Sequence, residues 1–208
     1  MDFRVVRIGL SGLSPAAHYR LGTLIQRVAD VLGRRVTYVA SGDLSHRLTK
    51  DGPYGFAPEG PEFDRIVCDA FLSGDFLPLL AMSPRLAERA AECGLRSFQM
   101  MAGALDQTEI HPELLSYEGP FGVGYAVAAF TPCGPERGCP KRDYLNVYEK
   151  ARAHEQSERR ASEDPYVRLA CLSLETHVRD GGRVRLPDDL PKDLALPDEL
   201  TTTQAGCF

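Results

Sequence analysis

The spacing of apolar positions along the chain changes several times, and each change predicts an element. Residues 4–9 (RVVRIG) carry apolar side chains on both faces and predict a short buried strand. A Ser-Gly-Leu-Ser-Pro turn follows. Pro15 suits a first helical position, where its fixed φ is already helical and its missing N–H costs nothing. Leu21, Leu24, Ile25, Val28 and Leu32 then recur at helical spacing until Gly33 stops them. Residues 35–40 (RVTYVA) are rich in β-branched residues and predict a second strand. Strand, helix and strand in succession form a βαβ unit, which implies a parallel strand pair.

Residues 47–61 are punctuated by Gly52, Pro53, Gly55, Pro58, Gly60 and Pro61. So long a loop in a compact domain usually has work to do, such as lining a site. Phe63, Ile66, Val67, Ala70 and Phe71 predict a helix with one apolar face, and Asp75 suits the cap of another short helix. Residues 85–105 read as helical in two pieces, broken at Glu92, Cys93 and Gly94. Residues 114–117 and 122–130 predict two strands around a Gly-Pro turn. Beyond Phe130 the composition shifts: residues 148–164 are charge-rich and read as a solvated helix or linker. An amphipathic helix then starts at Asp164 and Pro165 and closes at Gly181 and Gly182. A proline-rich segment follows, and no internal repeat is visible.

The predicted fold class is α/β: a mixed, largely parallel sheet flanked by helices, followed by an incomplete second α+β domain. The apolar share of 43% can build a core. A net charge of −5, with no basic block, argues against nucleic acid as a partner. Apolar runs such as residues 125–130 are too short to span a bilayer, so no membrane partner is expected. The N-terminal residues lack the apolar stretch of a signal peptide, and a cytoplasmic location is the expectation. The six cysteines include no C-x-x-C pair and read as free thiols. Cys133 and Cys139 flank a Gly/Pro-rich loop and offer at most a metal half-site.

In open α/β sheets ligands gather at the carboxyl ends of parallel strands. Gly42, Asp43, Leu44, Ser45 and His46 follow directly after the strand predicted to end at Ala40. Gly42 permits a sharp turn, and the D-x-x-H spacing can bring both polar side chains to one side of it. An Asp orienting an imidazole is a general acid/base arrangement. The plainer reading has Asp43 capping a turn beside a merely polar His46. Glu92 and Cys93, a carboxylate and a thiol at a helix break, can reach a cleft and bind metal; otherwise they are a surface acid and a buried thiol. His18, His111, His154 and His177 read as structural. Tyr54 and Phe56, in the loop 47–61, can stack on an aromatic substrate or pack the loop onto the sheet.

The runs SGDLSHRL (41–48), DGPYGFAPEGPEFD (51–64), AAECGLRSFQMMAGALD (90–106) and LLSYEGPFGVGYAVAAFTP (114–132) resemble the N-terminal domain of the AmmeMemoRadiSam system protein A family. That domain is similar to LigB-like class III extradiol dioxygenases and to Memo proteins. Residues 164–191, with LTTTQAGCF at 200–208, resemble the opening of an AMMECR-type domain. The resemblance divides the chain into the C-terminal portion of a LigB/Memo-like domain (1–132), a linker (133–163) and an AMMECR-type N-terminal fragment (164–208). It implies a non-haem Fe(II) site of two histidines and one carboxylate, acting on a catechol-type substrate with O₂. His46, with Asp43 beside it, matches the family's acid/base histidine. Glu92 is the preferred carboxylate ligand, and Cys93 competes because Memo-like relatives place a cysteine nearby. The family's two metal histidines lie in motifs absent here, so the chain reads as truncated at both ends, with weak or absent iron binding. The alternative implied is a non-catalytic Memo-like metal or redox module partnering a radical SAM protein. Uncovered sheet and helix surface also predicts oligomers.

Overall fold

The computed structural model describes residues 3–133 and 143–184, together with Pro191 and Leu194. In chain order the elements are α1 (Pro15–Val31), α2 (Glu59–Ser73), α3 (Leu77–Leu80), α4 (Pro84–Ala90), α5 (Leu95–Ala104), β1 (Ile110–Glu118), β2 (Tyr125–Pro132), α6 (Tyr144–Ala161) and α7 (Pro165–Asp180). The chain divides into two units, Met1–Lys150 and Ala151–Phe208, with the boundary inside α6. The proline-rich 185–190 segment, Cys139 and the terminal LTTTQAGCF run lie outside the described residues.

The first unit is built around α5, whose residues from Leu95 to Gly103 are buried except Arg96. Around it gather Tyr19, Leu44, Phe63, Val67, Phe71, Phe76, Leu79 and Leu80. Phe71 meets Phe98 and Phe130 edge-on, with ring centroids 5.2 and 5.5 Å apart, and Phe76 meets Phe130 in the same way at 5.1 Å. Such edge-to-face pairs add to the area their rings remove from water. They also fasten β2 to the helices, because Phe130 belongs to β2.

Several helix ends fall where the sequence predicts, although α2 starts at Glu59, inside the predicted loop 47–61, and α6 starts at Tyr144. Ser14 caps α1 by accepting the Ala17 N–H, Pro15 opens it, and Gly33 takes φ 58° just beyond it. The predicted break at residues 92–94 separates α4 from α5. Asp75 accepts the Leu77 N–H at the head of α3, and Asp164 caps α7 by accepting the Tyr166 N–H. The expected hairpin also forms: β1 and β2 pair antiparallel, with the register shifting between Leu114 and Ser116.

One expectation is corrected. The α/β class holds, but the sheet among the described residues is the antiparallel β1–β2 pair and not a largely parallel one. Residues 4–9 and 35–40 belong to no helix or strand and join no sheet. Parallel strands are stable when neighbouring strands flank them and both faces are covered. Here Val6 and Val39 are 83% and 79% exposed, and only the end of the second segment, Tyr38 and Ala40, packs against the core.

Helix α1 packs through a face other than its apolar stripe. Its apolar stripe, including Leu24 and Val28, is exposed, while its buried face consists of His18, Tyr19 and Gly22. The contact with α5 uses two glycines. A Cβ at Gly22 would lie 2.0 Å from the Met100 carbonyl oxygen, and one at Gly103 would lie 1.9 Å from that of Tyr19. Backbone approach, rather than side-chain interdigitation, sets this interface, and Tyr19 secures it by donating to Asp106 at 2.7 Å.

In the second unit, the end of α6 and α7 are joined by the Arg160–Glu175 ion pair. None of the residues of α7 is buried. No helix among the described residues is long and apolar enough to cross a membrane.

The helix contact generates a test. Gly22→Ala places a methyl group against backbone that cannot yield, and overpacking of this kind costs on the order of 3 kcal/mol. The same substitution at exposed Gly9, where nothing lies within 4 Å, should change stability by less than about 1 kcal/mol. Urea unfolding of both variants measures the contrast.

Candidate functional site

Residues 43–48 run through the first unit as a turn with no strand of their own, so their amide groups need acceptors from elsewhere. Each finds one. Asp43 N–H points to Cys93 Sγ at 3.2 Å. Leu44 N–H donates to the Gly124 carbonyl at 2.9 Å, and Gly124 N–H donates back to the Ser45 carbonyl at 2.7 Å. Ser45 N–H donates to Asp64 Oδ1 at 2.7 Å, and His46 N–H to the Ala90 carbonyl at 3.0 Å. Arg47 N–H uses Ser45 Oγ at 2.9 Å, and Leu48 N–H uses the Gly122 carbonyl at 3.0 Å. Elements distant in sequence therefore hold the turn from several sides.

Glycine is required where the turn passes the α4–α5 break. Gly42 has φ 155°, and a Cβ there would sit 2.3 Å from the Gly94 Cα. The Cys93 N–H donates to the Asp43 carbonyl at 3.4 Å. This close passage brings Cys93 to the turn.

Three side chains converge as a result. Asp43 Oδ2 lies 3.4 Å from His46 Nε2, and Cys93 Sγ lies 4.0 Å from the same nitrogen. The three donor atoms fall within 4.8 Å of one another. His46 and Asp43 are partly exposed and Cys93 is exposed. In a nucleophile–histidine–acid relay, the acid and the nucleophile address opposite ring nitrogens. Here both address Nε2, which is convergence on a shared point and suits a cation better than a relay. Ligand bonds of roughly 2.0–2.3 Å place two donors of a tetrahedral ion about 3.3–3.8 Å apart, close to the spacing seen. Three protein donors with an open position is also the pattern of catalytic rather than structural metal sites. The residues fit a metal ion.

Glu92 is engaged differently. Its Oε2 accepts the Leu95 N–H at 2.7 Å, which places the carboxylate at the start of α5. Burial pushes its carboxyl above the ordinary range, while the Leu95 N–H and the Arg96 charge pull it back. Among the described residues the structure thus brings Cys93, not Glu92, together with Asp43 and His46. The loop 47–61 folds back through the Ala57 N–H to the Arg47 carbonyl and a bridge between Leu48 and Phe56. This lays the Tyr54 ring on His46, with centroids 5.1 Å apart and planes at 27°. Tyr54 is 57% exposed, and Phe56 is also exposed. His18 is buried, with Nδ1 on the Ser14 carbonyl, and His111, His154 and His177 are not in the cluster.

The sequence reading missed Asp64, which is 1% exposed on α2. Besides Ser45 it accepts from the Tyr117 hydroxyl at 2.7 Å. A signal was present: Gly60, Phe63, Asp64, Val67, Ala70 and Phe71 all occupy the buried stripe of α2. A carboxylate on an apolar stripe must be satisfied inside the protein.

A raised carboxyl has a definite pH signature. The folded form of Glu92 holds its proton more readily than the unfolded chain does. Its stabilising contribution is complete below the ordinary glutamate range and is lost as the pH rises through the folded-state value. Glu92→Gln mimics the protonated form at every pH. The variant should therefore gain thermal stability relative to the wild type between pH 4 and pH 7; a gap in melting temperature that stays constant across that range contradicts this account.

Residues 1–128, which include the turn, Tyr54, Asp64, Cys93 and Tyr117, match the family model described as the catalytic LigB subunit of aromatic ring-opening dioxygenase. Over 194 residues the chain is 32% identical to Protein CA_C1420 of Clostridium acetobutylicum. That match covers 93% of this chain and 40% of the relative, so the chain spans about two fifths of the relative's length. Helices α1 to α5, strand β1 and the site that they carry thus fall within the matched residues, and the chain belongs to the LigB family of aromatic ring-opening dioxygenase catalytic subunits.

Proposed function

We propose that residues 1–132 form part of a metal-dependent, extradiol-dioxygenase-like domain in which Asp43, His46 and Cys93 hold the metal side of the site. The observation that carries this reading is the meeting of imidazole, carboxylate and thiol around one nitrogen in a LigB-family chain. Fe(II) is the ion the family favours, and when bound it would supply the centre at which a catechol-type substrate and O₂ meet. The chain's own contributions follow from its geometry. Asp43, 3.4 Å from His46 Nε2, orients the ring toward the point it shares with Cys93. Tyr54, stacked on that ring and open to solvent, offers an aromatic surface beside it.

One imidazole, one carboxylate and one thiol make a softer set than two imidazoles and a carboxylate. The thiol favours a second reading, a Memo-like metal or redox module working alongside a radical SAM protein. In both readings residues 133–163 act as a linker and residues 164–208 open an AMMECR-type domain. That assignment rests on the resemblance of the 164–191 run.

Titration of the full chain with Co(II) tests the shared part. Wild type should show thiolate-to-metal absorption, and Cys93→Ala should lose it and bind more than about tenfold more weakly. Equal spectra from the two proteins sink the metal reading. Aerobic incubation with Fe(II) and catechol then separates the alternatives. Ring cleavage supports the dioxygenase reading, whereas tight Fe(II) binding without cleavage, joined by co-purification with the radical SAM protein, supports the module.

A further inference from the structure

Asp64 has no part in the cluster, yet several elements meet at its carboxylate. It occupies the buried stripe of α2, where an apolar residue is the ordinary choice. Both of its hydrogen bonds come from neutral donors, the Ser45 N–H and the Tyr117 hydroxyl, each at 2.7 Å. Gly124, ahead of β2, leaves room for it: a Cβ there would lie 2.1 Å from Asp64 Oδ2. Burial pushes the carboxyl up, and the two donors, with the nearby His46, pull it back. The Ser45 amide is the point at which this assembly touches the turn, and the next residue is His46.

Other bonds of the turn do not replace this one. Ser45 Oγ is already committed to the Ala90 carbonyl and accepts from Arg47 N–H. The Ser45 carbonyl is taken by Gly124 N–H. Without Asp64 the buried Ser45 N–H loses its acceptor, and the peptide carrying it is free to rotate toward another one. That rotation turns the main chain leading into His46 and so moves the imidazole relative to Asp43 and Cys93.

We propose that Asp64 is a positioning residue for the centre formed by Asp43, His46 and Cys93, acting through the Ser45 amide and itself held by Tyr117. The proposal rests on the reading of that cluster as a metal centre. Groups one shell away from a metal commonly set affinity by orienting its ligands.

The test uses the full chain with Co(II) as the probe, and the His46 ring resonance in metal-free protein as a second, metal-independent readout. Asp64→Ala, at a temperature where circular dichroism shows it folded, should bind Co(II) about tenfold to a hundredfold more weakly, and its His46 resonance should broaden or move. Asp64→Asn retains a carbonyl oxygen for the Ser45 N–H and an amide that Tyr117 can accept. It should return both readouts most of the way to wild type. A residue that only stabilised the fold would lower the melting temperature and leave both unchanged in the folded protein, and that result overturns the proposal. Should Asp64→Ala not fold, Tyr117→Phe decides: a several-fold loss of affinity with a shifted His46 resonance supports the proposal, and wild-type behaviour overturns it. Wild type that takes up no Co(II) removes the metal reading alone. The His46 resonance across the same variants then still decides the positioning role.

Discussion

The constraint behind the site is the need to satisfy main-chain polar groups in a turn that runs through the protein without a strand beside it. A buried N–H left without an acceptor costs about 1–3 kcal/mol, and the buried Leu44 and Ser45 sit within a run of six paired amides at residues 43–48. The acceptors come from α2, from the end of α4, from the α4–α5 break and from the loop that enters β2. The elements of the first unit are thus tied to one another partly through this turn. The apolar core around α5 gives those elements their place, and the turn gives their arrangement a purpose.

The convergence at His46 Nε2 follows from the same bonds. Gly42 passes so close to Gly94 that it tolerates no Cβ, and this approach carries the Cys93 thiol to the Asp43 side of the imidazole. Tyr54 arrives independently, because the loop 47–61 is pinned at Arg47 and at Leu48. The Cys93 thiol and the Tyr54 ring therefore reach the same imidazole from separate stretches of the chain. Glu92, though adjacent to Cys93, turns toward the first free amides of α5, which attract a carboxylate as any helix start does.

Local chemistry was legible in the sequence, and long-range chemistry was not. Pro15, Ser14, Asp164 and Gly181 announce helix ends through the φ angles and caps they favour, and these ends appear where expected. Asp43 and His46 could be paired because a short turn fixes the distance between them. The preference between Glu92 and Cys93 turned on which side chain the neighbouring helix start would claim, and a linear reading does not show it. The strands foreseen at 4–9 and 35–40 have the right composition, but composition does not supply neighbours. The stripe of α1 is a like case: helical spacing identified it correctly, while two glycines on the other face made the contact. Asp64 was overlooked because its partners, Ser45 and Tyr117, lie far from it in the sequence.

The close passage of the 42–43 and 93–94 peptides also bears on how a ligand would be held. Asp43 and Cys93 are separated by 50 residues of chain, and bringing two such points together in an unfolded chain costs loop entropy that grows with the logarithm of their separation. Folding meets that cost through main-chain bonds that do not involve the three donor side chains. An ion arriving at the site would have only a few side-chain rotations left to freeze, and its loss on unfolding would be as abrupt as the unfolding itself.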